Sequence, residues 1–471
     1  ERYRSKINHA ISEIVSSIKT GERPLFEYGK MTYVGYTATP FANLLNEDPT
    51  QDPLCPDCIK PLSTSSKYFG LERIFGAEPV YGDDHHRCRM NIVREIGEDE
   101  YSGWVVPIQN GDIGGVGDAS GDLVRCAEGN SVEWKSLMDA IKWAFCTAAA
   151  RRVLRLEGEN NAEYADKKYR WTTMLFNISH LTKQHSVQEE IVKSYLNVML
   201  APERRAKFLQ ECMDVWREQT AAFTSADFKE SCSGYDMPVD YPEPDKVEGA
   251  LRDWFFPRNS DKVRVIQMNA KTLDRTEYTD PNSGHGGDVL WIVCGGNAIS
   301  RGLTLDGLTV SYYDRIKRTT AVDAITQMGR WFGYRIGYEL LPRVWMTGET
   351  ISEMKNICRI ETQLHAELQD LFAEEDHASI RGGREVADIR YFGRRLSGRD
   401  ANGMQVGGLA SKGVLEYVAK DPKEAFATTR SLILNDLRLD SVWKKPESGF
   451  GRPLHARHQY IWKNVDRTVV A

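Results

Sequence analysis

From residue 171 onward the chain alternates between apolar strand segments and helical ones, and this rhythm constrains the fold more than any other feature. TTMLFNISH (172–180) reads as a buried strand, followed by KVRVIQMN (262–269), DVLWIVCGG (288–296), LTVSYYDR (308–315) and RVWMT (343–347). Ser186 and Glu189 form a capping box for a helix running through Leu200. A second helix carries Ala321, Ile325 and Met328. A third, capped by Thr350 and Glu353, carries the stripe Met354, Ile357, Leu364 and Leu368. Strands alternating with helices predict an α/β fold with a parallel sheet. Residues 201–260 interrupt the alternation with a helical insertion and the Pro-rich loop MPVDYPEPDK.

The upstream part reads differently. Ile7, Ile11, Ile14, Val15 and Ile18 make an amphipathic helical stripe, and MTYVGYTATPF begins as a strand that Pro40 ends. Residues 46–66 and the Gly-rich 108–130 read as loops, and a helix follows from Trp134 to Arg151. A length of 471 residues suggests roughly three domains. With 41% hydrophobic and 27% charged residues, wholesale disorder and a collagen-like chain are excluded. A net charge of −6 excludes a globally basic nucleic-acid glove, so any such site is local. No apolar run reaches the ~20 residues of a membrane span, and no signal peptide opens the chain. Nine cysteines at irregular spacing fit reduced thiols in a cytoplasmic protein. The first residue, Glu1, is not Met, so the chain reads as a piece of a longer protein.

Three short segments carry chemistry. Thr37-Ala38-Thr39-Pro40 places small hydroxyls at a strand's carboxyl end, where α/β sheets bind ligands. In GGNAISRGLTLDGL (295–308) a Gly pair lets the backbone approach a ligand, and Asn297, Ser300 and Arg301 sit beside Gly302. Backbone amides with an Arg suit a phosphate. In TQMGRWFGYR (326–335), Arg330 and Arg335 supply two guanidiniums able to stabilise charge on transferring phosphoryl oxygens.

In this order the segments resemble motifs III, V and VI of superfamily 2 helicases. More closely, the chain is similar to the Z1-domain helicase-like proteins of bacteria, sometimes labelled endonucleases. The resembling stretches are YVGYTATPFANLL, YFGLERIFG, the Trp134–Leu156 stretch, TTMLFNISHLTKQHSVQEEIV, GGNAISRGLTLDGLTV and QMGRWFGYRIGYE. The resemblance implies four parts: the end of a RecA-like lobe 1 with motif III (1–45), a Z1-specific mixed and helical region (46–168), RecA-like lobe 2 (169–350), and a helical C-terminal region with nucleic-acid contacts (351–471). It implies ATP and Mg²⁺ held mainly by an upstream RecA-like lobe, with Arg330 and Arg335 reaching the γ-phosphate. Thr37, Thr39, Asn297, Ser300, Arg301, Gly302 and Gln327 would couple the nucleotide to the track. It further implies prokaryotic defence or DNA processing, nucleic acid (DNA) as partner, a nuclease or GHKL-type ATPase nearby, and no membrane.

The departures are specific. The chain has no G-x-x-x-x-G-K-[ST] pattern and no D-E-x-x box after an apolar strand. Motif VI is shifted: Thr326 stands at the usual Gln position, Gln327 follows it, and two extra residues separate Arg330 from Arg335. Outside these motifs, RGGREVADIRYFGRRLSGR (381–399) interleaves Arg381, Arg384, Arg390, Arg394 and Arg395 with Tyr391 and Phe392, suiting phosphates and bases. Arg151, Arg152 and Arg155 form a smaller basic cluster at a helix end, which the helix dipole also explains. Cys55, Cys58, His85 and Cys88 are a weak zinc candidate lacking a second C-x-x-C. Asp240, Glu243, Asp245 and Lys246 match no strand-borne nuclease spacing. Two alternatives therefore stand beside the ATPase: a non-catalytic nucleic-acid-binding or assembly module recruiting a nuclease, and a nuclease itself.

Overall fold

The computed structural model describes residues 65–76, 90–105, 134–158, 171–179, 182–232, 235, 238–257, 262–268, 288–295, 305–314, 329–355, 357, 358, 362, 442–444 and 460–462. They fall into two units, Glu1–Gly413 and Val414–Ala471.

The first unit is built on a six-stranded parallel sheet in the order β2-β8-β6-β3-β5-β4. Its strands are β2 (Val93–Ile96), β3 (Trp171–Asn177), β4 (Val263–Met268), β5 (Val289–Gly295), β6 (Leu308–Tyr313) and β8 (Arg343–Thr347). The α/β fold and parallel sheet read from the sequence are therefore present. β4, β5 and β8 end within a residue of their expected bounds. β5, β6 and β8 are buried along their whole length, as parallel strands covered on both faces should be. β4 is an edge strand, and its first four residues are only half-buried.

One face is covered by α3 (Lys135–Gly158), α4 (Thr182–Met199), α5 (Arg205–Ala222) and α7 (Pro244–Ala250), the last running into a π-helical turn at Leu251–Phe255. The shorter helices are α1 (Leu71–Phe75), α2 (Glu98–Glu100) and α6 (Ser225–Ser231). α3 ends seven residues beyond its expected end at Arg151 and is buried almost all round between sheet and α5. Trp143 of α3 stacks on Trp216 of α5 with ring centroids 5.5 Å apart, and Phe145, Phe208 and Phe256 continue the layer. The insertion at 201–260 is helical, as expected, and forms this outer cover.

Two expectations need correcting. Ser186 and Glu189 are not a capping box, because α4 begins at Thr182; Ser186 lies one turn inside and bonds Gln267 of β4. Thr350 does not cap its helix either: that helix spans 348–355, and the Thr350 hydroxyl donates to Asp314. The C-terminal region is not helical throughout. In the second unit β9 (Val442–Lys444) pairs antiparallel with β10 (Tyr460–Trp462), as their branched and aromatic residues favour. In the first unit β1 (Tyr68–Phe69) and β7 (Gly333–Tyr334) form a small antiparallel ribbon.

β2 and α3 come from the 46–168 stretch, yet β2 is the sheet's second edge and α3 its central cover. The segment VREI has only two apolar residues; its pairing with β8, not its own composition, makes it a strand.

Candidate functional site

In a parallel sheet, ligands bind at the carboxyl ends where neighbouring strands send their connections apart. Here β3 leads towards β4 on one side, and β6 leads towards β8 on the other. The carboxyl ends of β3 and β6 therefore define the switch point. The Asp314 N–H, just past β6, donates to the Asn177 carbonyl at the end of β3 (3.2 Å).

Asp314 is buried and is the hub of this edge. Its Oδ1 accepts from Thr347 Oγ1 at the end of β8 (2.6 Å) and from Thr350 Oγ1 (2.6 Å). Burial, with the charges of Asp314 and Glu349, pushes the Tyr101 phenol above its ordinary value. Nearby, Glu100 accepts hydrogen bonds from the Ser136 backbone N–H (2.8 Å) and hydroxyl, capping the start of α3 from 36 residues away in sequence. Ser136 Oγ also meets Tyr312 OH (2.8 Å). Burial raises both the Glu100 carboxyl and the Tyr312 phenol.

On the other side of the switch point, α4 starts a few residues after β3. His185 Nε2 lies 3.1 Å from the Ser179 carbonyl, and Gln267 Nε2 donates to Ser186 Oγ (3.1 Å). Gln184 and Gln188, one turn apart on the inward stripe of α4, are 1% and 0% exposed. Among the described residues, neither amide nitrogen nor oxygen of either glutamine has a hydrogen-bond partner. Each such buried group costs ~1–3 kcal/mol, so two adjacent ones in one turn are unusual.

The segment 329–341 holds the two arginines of the third motif. The Phe332 N–H donates to the Gly329 carbonyl (3.1 Å), making a tight turn. A Cβ at Gly329 would lie 2.2 Å from the Phe332 ring, so the ring needs glycine there. Arg335 is buried and its guanidinium is committed to this loop. Nη1 donates to the Tyr334 carbonyl (2.8 Å), and Nη2 to those of Arg330 (3.1 Å), Trp331 (3.0 Å) and Phe332 (3.3 Å). Arg330 is half-buried, and desolvation lowers its pKa. Trp331 anchors the loop edge-on to Tyr313 of β6 (4.8 Å).

The basic cluster at the end of α3 is tied into the amino edge of the sheet. Arg152 and Arg155 both ion-pair with buried Asp288, which precedes β5 at φ +63°. Arg152 lies over the Trp254 ring (3.7 Å). Arg151 donates to the Trp171 carbonyl (2.5 Å) and lies over Tyr338 (4.3 Å). These contacts, rather than the helix dipole alone, explain the cluster.

The acidic nuclease candidate does not converge: Lys246 pairs with Glu157, and Asp240 accepts from Ser225. Among the described residues no group of three or more His, Cys, Asp or Glu is placed to hold a metal. Thr37, Thr39, Asn297, Ser300, Arg301, Gly302, Gln327, the arginines of 381–399 and the Cys55–Cys58–His85–Cys88 set lie outside the described residues. Asp314, Glu100, Gln184 and Gln188 were not singled out by the sequence. The signal for Asp314 was an acid directly ending an apolar strand; the glutamines read as ordinary polar helix positions.

Fold and edge together define a parallel α/β domain with a buried polar network at its switch point. The chain belongs to the Z1 domain family, whose model matches residues 136–385, just over half its length. That match spans α3, the five strands β3, β4, β5, β6 and β8, and the loop of Arg330 and Arg335. No curated protein and no solved structure matches the chain. Among the described residues no helix is long and apolar enough to cross a membrane.

Proposed function

We propose that the chain is the C-terminal part of a superfamily 2-type, nucleic-acid-dependent ATPase, with the six-stranded sheet as its second RecA-like lobe. A first lobe upstream would hold ATP and Mg²⁺. Closure of the second lobe on the nucleotide would then move a nucleic-acid strand, with DNA as the first candidate. The observation that supports this best is the sheet itself. β5 ends at Gly295, immediately before the G-x-x-x-S-R-G-L segment, and the Gly329–Arg335 loop lies between β6 and β8 of the same sheet. Both segments then belong to connections of one switch-point sheet, the arrangement that nucleotide-coupled chemistry uses.

Of the two arginines, Arg330 takes the γ-phosphate role. Arg335 shapes the loop that presents it, because its donors already serve four carbonyls. Asn297, Ser300, Arg301, Gly302 and Gln327, with Thr37 and Thr39, couple nucleotide to track. The arginines at 381, 384, 390, 394 and 395 contact phosphates. A role in prokaryotic defence or DNA processing, beside a nuclease or GHKL-type ATPase, follows from this reading. The second reading is a nucleic-acid-binding module that recruits a nuclease; a Walker A pattern upstream in the same gene favours the motor, and its absence there favours the module. ATP hydrolysis by the complete gene product, with and without DNA and beside the 471-residue chain, separates the two. DNA-stimulated turnover by the whole protein alone supports the motor. No turnover by either supports the module.

A further inference from the structure

We propose that the first two turns of α4 form a binding site for a nucleobase, read by the side-chain amides of Gln184 and Gln188. This rests on the function above only for the presence of a nucleotide or a nucleic-acid strand. Three observations carry it. The turns stand at the carboxyl edge of the sheet over β5 and the edge strand β4: Ser186 bonds Gln267 near the end of β4, and burial, with the charge of Glu189, raises the thiol pKa of Cys294 near the end of β5. Both glutamines are fully buried on the inward stripe, continuing the line of Ile191, Val192 and Tyr195. All four of their amide atoms lack hydrogen-bond partners among the described residues.

The chemistry selects the ligand class. A primary amide presents an N–H donor and a C=O acceptor in one plane, which matches the adjacent donor and acceptor on a base edge. Among the described residues a phosphate is poorly served here. Lys183 is exposed, and Lys193 is half-exposed and paired with Glu189 (2.7 Å). His185 Nε2 meets the Ser179 backbone carbonyl. Because both amides are shut in, a base enters only when this turn of α4 parts from the sheet edge. Their unpaired state lowers the cost of that opening. The base can come from a free nucleotide or from a strand.

The test uses the 471-residue chain and three probes: a single-stranded oligonucleotide, an abasic oligonucleotide of equal length and charge, and AMP. Affinities are compared between wild type and Gln184→Met/Gln188→Met, with the thermal midpoint recorded. The double variant is expected to melt higher. It should bind either the base-bearing oligonucleotide or AMP about tenfold more weakly, with abasic affinity unchanged. Whichever of the two weakens identifies the source of the base. A folded variant with unchanged affinity for both overturns the site. In that case a lowered melting point would assign the amides to buried water. If the double variant does not fold, hydrogen exchange over 182–190 in the wild type decides. Protection by a base-bearing probe and not by the abasic strand supports the site; equal or absent protection overturns it. If the wild type binds neither oligonucleotide, the nucleic-acid part of the proposed function fails and AMP alone decides. Weakened AMP binding in the variant then supports the site, and no AMP binding by the wild type overturns it.

Discussion

Asp314 Oδ1 accepts a 2.6 Å hydrogen bond from Thr347 Oγ1, joining the residue after β6 to the last residue of β8. With Thr350 on the same oxygen and the Asn177 carbonyl on the backbone N–H, one buried residue ties three strand ends and the next helix together. Asp314→Ala leaves two buried hydroxyls without their acceptor and is expected to cost about 2–4 kcal/mol in urea unfolding. Asp314→Asn keeps an acceptor and should cost less. A loss below about 0.5 kcal/mol for the alanine variant would show that the network is not a hub.

Gly307 is held at φ +64° just before β6, and its carbonyl accepts from the Thr173 N–H (2.9 Å). A Cβ there would lie 1.9 Å from the Trp171 carbonyl oxygen and 2.0 Å from Arg151 Nη1. Backbone cannot yield as a flexible side chain can. Gly307→Ala should therefore lower stability by about 3 kcal/mol or more, from the left-handed conformation and the clash together. A thermal midpoint equal to wild type would contradict this.

Arg343 opens β8 at 1% exposure. It donates to the Gln219 carbonyl (2.7 Å), Gln219 Oε1 (3.2 Å) and the Leu340 and Pro342 carbonyls (2.8 Å each), and lies 4.9 Å over the Trp143 ring. This side chain joins α5, β8 and α3. Arg343→Lys keeps the charge but loses the planar fork, so it should also destabilise, and Arg343→Met by about 3 kcal/mol or more. Equal stability of the Lys variant in a denaturant series would show that charge alone suffices.

Glu100 gives a pH signature. Its folded-state pKa is raised by burial above the ordinary 4.5, against hydrogen bonds from Ser136 that lower it. The folded state thus binds the proton more tightly than the unfolded one. That contribution is fully present below pH 4.5 and is lost as pH rises through the raised value. Relative to the non-titrating Glu100→Gln, the wild type should gain stability on acidification from neutral pH towards 4.5. Denaturant unfolding of both proteins across that window checks it, and a constant difference would mean the carboxyl is unshifted.

Much of the sheet was legible because its strands are apolar runs closed by Gly, Asp or Thr, as in VLWIVCG and RVWMT. β2 was not, since the strand state of VREI depends on β8, some 250 residues away. The start of α4 was misplaced because Ser186 and Glu189 imitate a cap, whereas Ser186 faces Gln267. The site was legible in part. The Gly-Arg spacing marked Arg330 and Arg335 without separating them; only the carbonyls around Arg335 do so. Nothing in the residue types marks Gln184 or Gln188 as buried, because burial is a property of the packed layer.

Under the proposed function this sheet is the second lobe of a nucleic-acid-stimulated ATPase, with Arg330 facing the γ-phosphate. DNA-stimulated ATP turnover by Arg330→Ala in the complete gene product tests it most directly, with DNA binding measured on the same preparation. Turnover is expected to fall by about a thousandfold or more with binding retained. Turnover equal to wild type would contradict it.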